Sequence, residues 1–243
     1  MKRASRWPAR LDRWQSLSGL LLGLFIWVHL AGDSSIILGP EAFAAVHHFW
    51  EGGAFLARPL PALTAWAAGC VLVLLLVHSA LAVRKFPGDV RAYREMHSHA
   101  RTLRHGDTRL WLVQVWTGFA MFFLAPVHLY VVMAMPQEIG PVESSQRIAW
   151  DGFWPLYLLL LLAVVPHAAI GLYRLAVKWD LPPSRRPERR RRLLRMTMWC
   201  TIGLFLVLGT YALATFYLTG LQHPPVGQDH ALVVEAGGQR AAQ

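Results

Sequence analysis

Four histidines stand in otherwise apolar stretches of this 243-residue chain, and they are the first candidates for chemistry. His29, His78, His128 and His167 each occupy a different stretch that lacks Asp, Glu, Lys and Arg. A neutral imidazole offers one nitrogen lone pair to a metal and one N–H to a hydrogen-bond acceptor. An ionisable side chain in a long apolar stretch is costly and marks a functional site by default. We therefore predict that these four side chains bind a metal-containing group.

Five uncharged runs must position these histidines. They cover residues 14–32, 59–83, 110–135, 152–173 and 196–222, and each is 19 to 27 residues long. About 20 residues of helix cross the hydrocarbon of a bilayer. Hydrophobic residues make up 55% of the chain and charged residues only 16%, against about 25% charged in a soluble domain. The sequence therefore predicts an all-α integral membrane protein with five transmembrane helices, and it excludes a soluble α/β enzyme and a disordered chain.

The 24 lysines and arginines predict the orientation of these spans. All but Arg58, Arg147 and Arg240 fall in the amino-terminal arm or at 84–109 and 174–195, which share one side. This asymmetry indicates a cytoplasmic amino terminus and an outer carboxyl terminus. The net charge of +10 then suits anionic lipid or an acidic partner better than nucleic acid. One membrane domain, 14–222, is predicted between a basic arm, 1–13, and an outer tail, 223–243.

The alternating direction of the spans places the four histidines at two depths. His29 and His128 fall in the outer halves of spans one and three, whereas His78 and His167 fall in the inner half and near the centre of spans two and four. Two imidazoles at one depth on different helices are what a bis-histidine b-type haem requires. We predict two haem b groups inside a bundle of the first four spans. Small residues nearby would leave room for a flat macrocycle: Gly19, Gly23, Gly118, Ala168, Ala169 and Gly171.

Other metal sites have less support in the sequence. Zinc sites draw on cysteine or acidic ligands close together, and the spans offer neither. Cys70 and Cys200 each stand alone, so we expect no disulfide, iron–sulfur cluster or covalently attached haem. The remaining histidines are expected in solvated loops, among them His47, His48, His97, His99 and His105.

Six segments carry a similarity to a known family. They are LDRWQSLSGLLLGLF (11–25), FWEGG (49–53), HSALAVRKFP (78–87), RHGDTRLWLVQVWTGFAMFFLAPVHLY (104–130), QEIGPVESSQR (137–147) and WPLYLLLLLAVVPHAAIGLYRLAVKW (154–179). In order, and over about residues 7–220, the chain resembles the dihaem cytochrome b subunit of quinol:fumarate reductase, a five-helix membrane anchor. The resemblance implies that His78 and His167 ligate an inner haem, and His29 and His128 an outer one.

The resemblance also implies roles for polar residues. Near the inner haem propionates it places Gln15, Ser16, Trp111 and Lys178, with Arg84 and Lys85 at the same membrane edge, and it pairs Arg147 with an outer propionate. For the three cations at the inner edge, plain interfacial anchoring is the alternative. Glu51 matches a family glutamate at the outer quinol site, where a carboxylate can act as a general base. Without the resemblance, Glu51 would be taken for a solvated loop acid.

One position departs from the family pattern. A family member has a glutamate two residues before the fourth ligand, which is thought to return protons across the membrane, and this chain has Val165 there. No carboxylate lies anywhere in 152–173, so we expect no proton return through span four. Asp33, one turn beyond His29, is the nearest acid to the outer haem.

The resemblance predicts an electron-transfer subunit rather than a whole enzyme. The chain would exchange electrons between a quinone, expected to be menaquinone, and an iron–sulfur subunit on the cytoplasmic face of the inner membrane. A flavoprotein subunit would carry out the fumarate and succinate chemistry, in either direction, and a dimer of such heterotrimers is expected on resemblance alone. Two other classes stay open: a dihaem b-type anchor of a hydrogenase or formate dehydrogenase, and a channel, transporter or structural anchor without redox chemistry.

Overall fold

The computed structural model describes residues 6–85, 89, 91, 94, 98 and 106–225, and this part of the chain is helical with no strand. The helices are α1 (Trp7–Asp33), α2 (Pro40–Trp50), α3 (Pro61–Val83), α4 (Gly106–Ala134), α5 (Pro141–Ala149), α6 (Trp154–Lys178) and α7 (Pro187–Gln222), with 3-10 turns at Ser34–Leu38 and Pro136–Glu138. Five of them, α1, α3, α4, α6 and α7, are long and apolar enough to cross a membrane. The prediction of an all-α membrane protein with five spans is confirmed.

Four of the five spanning helices are longer than the uncharged runs that predicted them, and α3, with 23 residues, is slightly shorter than its run. Helix α1 begins at Trp7 and α7 at Pro187, so parts of the basic arm and of the second basic linker are helical. Proline occupies the first turn of α1, α3, α6 and α7, where its missing N–H has no intrahelical partner to lose. Pro126 and Pro166 lie inside α4 and α6, as membrane helices tolerate when neighbouring groups satisfy the freed carbonyls.

Both loops that are predicted to lie outside contain a short helix, and both short helices pack on the same end of the bundle. Helix α5 is fixed to α7 by the Trp150 indole, whose Nε1 donates to the Gly220 carbonyl at 2.8 Å. Helix α2 meets α7 where Phe43 packs edge-on against Phe216, with ring centroids 5.1 Å apart. The loops could fold in this way because each carries apolar residues that the bundle end buries.

One histidine prediction is wrong. His47 lies in α2 with its side chain only 16% exposed, because the segment around it folds onto the bundle instead of remaining a solvated loop. His48, the next residue of the same helix, is exposed. His97, His99 and His105 lie outside the described residues.

Helix α6 is the most buried span. Val165, Ile170 and Tyr173 on α6 pack against Met198 and Ile202 on α7. The other side of α6 faces α1, α3 and α4 across a long cavity. The first four spans therefore form the bundle around this cavity, and the fifth span packs outside it, reaching the cavity lining only through part of its carboxyl-terminal half.

Candidate cofactor and quinol site

A cavity of about 1390 Å³ runs through the bundle, and all four span histidines line it. Its basic end contains Gln15, Ser16, Trp111, Lys85 and Lys178, and its opposite end contains Asp33, His47, Trp50 and Arg147. Ordinary small-molecule sites have volumes of roughly 300–1,000 Å³. The cavity therefore has room for more than one cofactor of ordinary size.

The ring of His78 is held by the helix beside it. Its Nδ1 lies 3.0 Å from Ser18 Oγ, and the Ser18 hydroxyl donates its proton to the Gln15 carbonyl at 3.1 Å. Because a hydroxyl has a single proton to give, Ser18 must accept the Nδ1–H of His78. The lone pair of His78 is then on Nε2, the nitrogen available to a ligand in the cavity.

His167 is oriented in the same way by α4. Its Nδ1 lies 2.9 Å from the Gln114 carbonyl and 3.3 Å from Thr117 Oγ1. The carbonyl can only accept, so His167 donates from Nδ1 and keeps its lone pair on Nε2. A backbone carbonyl on the far ring nitrogen is the usual partner of a metal-binding histidine. Arg174 donates to the side-chain oxygen of Gln114 at 2.9 Å, which fixes this residue in turn.

Two glycines let these imidazoles lie against the neighbouring helices. A Cβ on Gly19 would be 2.9 Å from His78 Cε1, and a Cβ on Gly118 would be 2.7 Å from His167 Cε1. Both distances are too short for any side chain without moving the ring. The small residues thus make space first for the histidines. Most of the six predicted ones also line the cavity, whereas Ala169 is buried in the contact with α7.

The other two histidines meet near the opposite end. The rings of His29 and His128 have centroids 6.0 Å apart and planes inclined by 41°. A separation of this size would let both imidazoles hold one metal, whose bonds to nitrogen are about 2 Å long. His128 is packed edge-on by Tyr157 at 5.4 Å, and its buried Nδ1 has no hydrogen-bond partner in the described chain. His29 Nε2 instead faces Asp33 Oδ2 at 3.3 Å.

This donor set fits a haem better than a bare metal ion. Among the described residues, no group of three or more His, Cys, Asp or Glu side chains could hold a metal. A b-type haem supplies its own four equatorial nitrogens and needs only two axial imidazoles. Pairs of histidines around an apolar cavity therefore suit a haem.

The basic end gathers polar groups from three helices. Asp12 on α1 forms ion pairs with both Lys85 and Lys178, and Lys178 also donates to Ser16 Oγ at 3.0 Å. The side-chain oxygen of Gln15 is buried and has no partner in the described chain. No role is predicted for Asp12 from the sequence, although it lies one helical turn before Ser16.

The six residues predicted for this edge do not all reach the cavity. Arg84 follows the last residue of α3 and is exposed, outside the lining. The other five line the cavity. Arg147, predicted for the outer edge, is buried and donates to the Glu138 carbonyl at 2.6 Å while lining the cavity.

Glu51 ends helix α2 beside the opposite end of the cavity. Its side chain is 12% exposed, and Oε1 lies 3.7 Å from His47 Nδ1. Glu51 is not part of the cavity lining, whereas His47 and Trp50 are. The structure thus brings the predicted base close to the cavity, with an imidazole between them.

Between the two ends the cavity is apolar. All the lining residues that lie between Gly19 and His29, between Gly118 and His128, and between Tyr157 and His167 are apolar. They are Leu22, Gly23, Phe25, Ile26, Phe119, Met121, Phe122, Ala125, Leu160, Leu161 and Val164. Val165 is fully buried in the contact between α6 and α7. In the described chain, no carboxylate therefore connects the two histidine levels on these helices.

Replacing Gly118 by alanine should displace His167. Overpacking of this kind costs ~1–3 kcal/mol, and a displaced ring would lose its Nδ1 hydrogen bond to the Gln114 carbonyl, so we expect less bound haem in Gly118→Ala. Gly69→Ala is the matched control, because its Cβ would meet only Met133 Cε at 3.8 Å. The measurement is the haem-to-protein ratio after purification. Equal ratios in the two variants would contradict the assigned role of Gly118.

Comparison with known proteins identifies the family. A family model described as succinate dehydrogenase/fumarate reductase transmembrane subunit matches residues 90–210. The chain is 41% identical over 229 residues to the fumarate reductase cytochrome b subunit of Wolinella succinogenes, covering 94% of this chain and 90% of that one. It is 41% identical over 219 residues to the corresponding subunit of Helicobacter pylori, covering 90% and 84%. The chain therefore belongs to the cytochrome b membrane-anchor subunits of the fumarate reductase and succinate dehydrogenase family.

Proposed function

We propose that the chain is the dihaem electron-transfer subunit of a succinate:quinone oxidoreductase of the fumarate reductase type. One observation carries the proposal: a single cavity lined by histidines from four spans, with Nδ1 of His78 and of His167 tied to the neighbouring helix. When bound there, haem b supplies one-electron chemistry. The histidines would hold it, with His78 and His167 for the inner group and His29 and His128 for the outer one.

The polar ends of the cavity suit the haem propionates. At the inner edge we assign Gln15, Ser16, Trp111, Lys178 and Lys85, with Arg84 close by, and at the outer edge Arg147. A propionate is favoured where cations or hydrogen-bond donors are held at the boundary of the apolar region. Since Asp12 already pairs with Lys85 and Lys178, the lysines would be shared between Asp12 and a propionate.

We assign quinol chemistry to the opposite end, with Glu51 as the base and menaquinol as the expected substrate. The basic end would face an iron–sulfur subunit, which passes electrons to a flavoprotein subunit. The 21-to-3 division of lysine and arginine supports an inner-membrane location with a cytoplasmic amino terminus. A dimer of heterotrimers belongs to the same proposal.

Purification of the intact complex through this chain tests the function. We expect an iron–sulfur protein and a flavoprotein to copurify, and we expect a naphthoquinol to reduce the b-type spectrum and fumarate to reoxidise it. A nickel or molybdenum protein in their place would indicate the hydrogenase or formate dehydrogenase alternative. Absence of a haem spectrum would contradict any redox role.

Glu51→Gln should abolish most quinol turnover. Glutamine keeps the size and a hydrogen bond but cannot accept a proton, and losing a general base lowers the rate by ~10²–10⁴. Haem spectra and viologen-driven fumarate reduction should persist. Glu41→Gln, an exposed acid on the same helix, is the control. Quinol turnover unchanged in Glu51→Gln would move the base elsewhere, with Asp33 the next candidate.

Turnover should also move charge across the membrane. If quinol releases protons outside and fumarate takes them up inside, two electrons cross per turnover, and each works against ~2.3 kcal/mol per 100 mV. Position 165 holds valine in an apolar contact, so no carboxylate of span four returns protons.

Vesicles that contain the complex should therefore take up a potential-sensitive dye during quinol oxidation by fumarate, and an uncoupler should abolish the uptake. In the reverse direction an imposed potential should help succinate reduce quinone. Turnover without dye response and without any effect of uncoupler would show that another residue returns the protons.

A further inference from the structure

His47 is the polar group that connects Glu51 to the cavity. Its Nδ1 lies 3.7 Å from Glu51 Oε1, and its ring lines the cavity that Glu51 itself does not line. The other ring nitrogen, Nε2, is buried and has no hydrogen-bond partner in the described chain. Leaving a buried nitrogen without a hydrogen-bond partner is unfavourable, so a ligand that supplies this hydrogen bond is expected here.

A second buried polar atom without a hydrogen-bond partner in the described chain lies near the start of α3. Thr64 Oγ1 lines the cavity, is buried, and has no partner in the described part of the chain. His47 is fixed in place from the side by Phe43, whose ring stacks on the imidazole with centroids 6.3 Å apart. An imidazole lone pair and a hydroxyl in a largely apolar cavity suit an aromatic ligand that carries hydroxyl or carbonyl groups, as a quinol and its quinone do.

We infer that His47 is a further catalytic residue, whose Nε2 accepts the proton of a bound quinol hydroxyl and whose Nδ1 passes a proton on to Glu51. This inference rests on the proposed quinol oxidation at this end of the cavity. The separation of 3.7 Å is longer than a hydrogen bond, so a small side-chain movement completes the link.

The step balances over one turnover. Oxidation of a quinol breaks two O–H bonds and releases two protons and two electrons. Each proton binds at His47 Nε2 while the proton on Nδ1 leaves to the Glu51 carboxylate and then to outer water. The two electrons would be taken up one at a time by the one-electron chemistry of the haem that His29 and His128 would hold. Neutral His47 with a free Nε2 is restored when its ring turns or exchanges its proton with water.

The test compares His47→Gln with His48→Gln in the purified complex, reconstituted in vesicles, with dimethylnaphthoquinol as the donor. His48 is the matched control, because it is the adjacent residue of the same helix and is exposed outside the cavity. Five quantities are measured: kcat with the quinol, KM with the quinol, the rate of haem reduction after rapid mixing, viologen-driven fumarate reduction, and the haem spectrum.

In His47→Gln we expect kcat and the rate of haem reduction to fall about 100-fold, the effect of losing a proton acceptor. KM should change much less, because glutamine still hydrogen-bonds the hydroxyl. The double variant with Glu51→Gln should be no slower than the slower single variant, since the two residues act as one unit. His48→Gln should match the unmodified protein in every measurement.

The outcomes separate this inference from the proposed function. If His47→Gln keeps kcat within about twofold, below any general-base effect, while Glu51→Gln loses turnover, His47 has no catalytic role and the quinol site stands. If neither variant loses turnover, the proposed site is itself wrong. If His47→Gln loses the haem spectrum, the variant His47→Glu, which can still accept a proton, is tested in its place. If quinol reduces the haem faster in His47→Glu than in Glu51→Gln, the inference is supported. If the rate falls equally in the two variants, the inference is overturned.

Discussion

An imidazole inside a membrane needs a partner for each of its two ring nitrogens, and this constraint organises the bundle. Water and lipid headgroups are absent at that depth, and for His78 and His167 the partner of Nδ1 comes from a neighbouring helix. Ser18 and the Gln114 carbonyl provide it for His78 and His167. For these contacts to form, the helices must approach closely, which requires Gly19 and Gly118. The orientation of these two histidines therefore depends on how closely the helices pack.

The distribution of polar groups follows from the same constraint. Charged residues gather at the two ends of the cavity, where Asp12 pairs with Lys85 and Arg147 bonds the Glu138 carbonyl. The lining between the histidine levels is apolar. Cofactors in such a cavity can pass electrons over its length, whereas protons require a chain of polar groups. The proposed separation of charge therefore has the same cause as the apolar surroundings of Val165, which is the lack of polar groups between the two ends of the cavity.

The spans and the candidate histidines within them can be predicted from the sequence, because both predictions depend on local composition. Runs of uncharged residues predicted five helices, and position within a run gave the depth of each histidine. Contacts between distant segments could not be read in this way. Helices α2 and α5, the double ion pair of Asp12, and the placement of His47 depend on which surfaces the bundle end presents. The prediction of a solvated His47 is wrong for that reason, and Phe43, which is apolar and lies one turn earlier, is the residue in the sequence that indicates burial of this helix face.

The number of haems bound per chain, measured with single histidine variants, tests the two-pair arrangement most directly. The purified protein should contain two b-type haems. Replacement of His78 or His167 by leucine should leave one haem with the same residual spectrum in both variants, and His29 or His128 variants should leave the other. One haem in the unmodified protein, or a His128 variant that retains two, would contradict the arrangement.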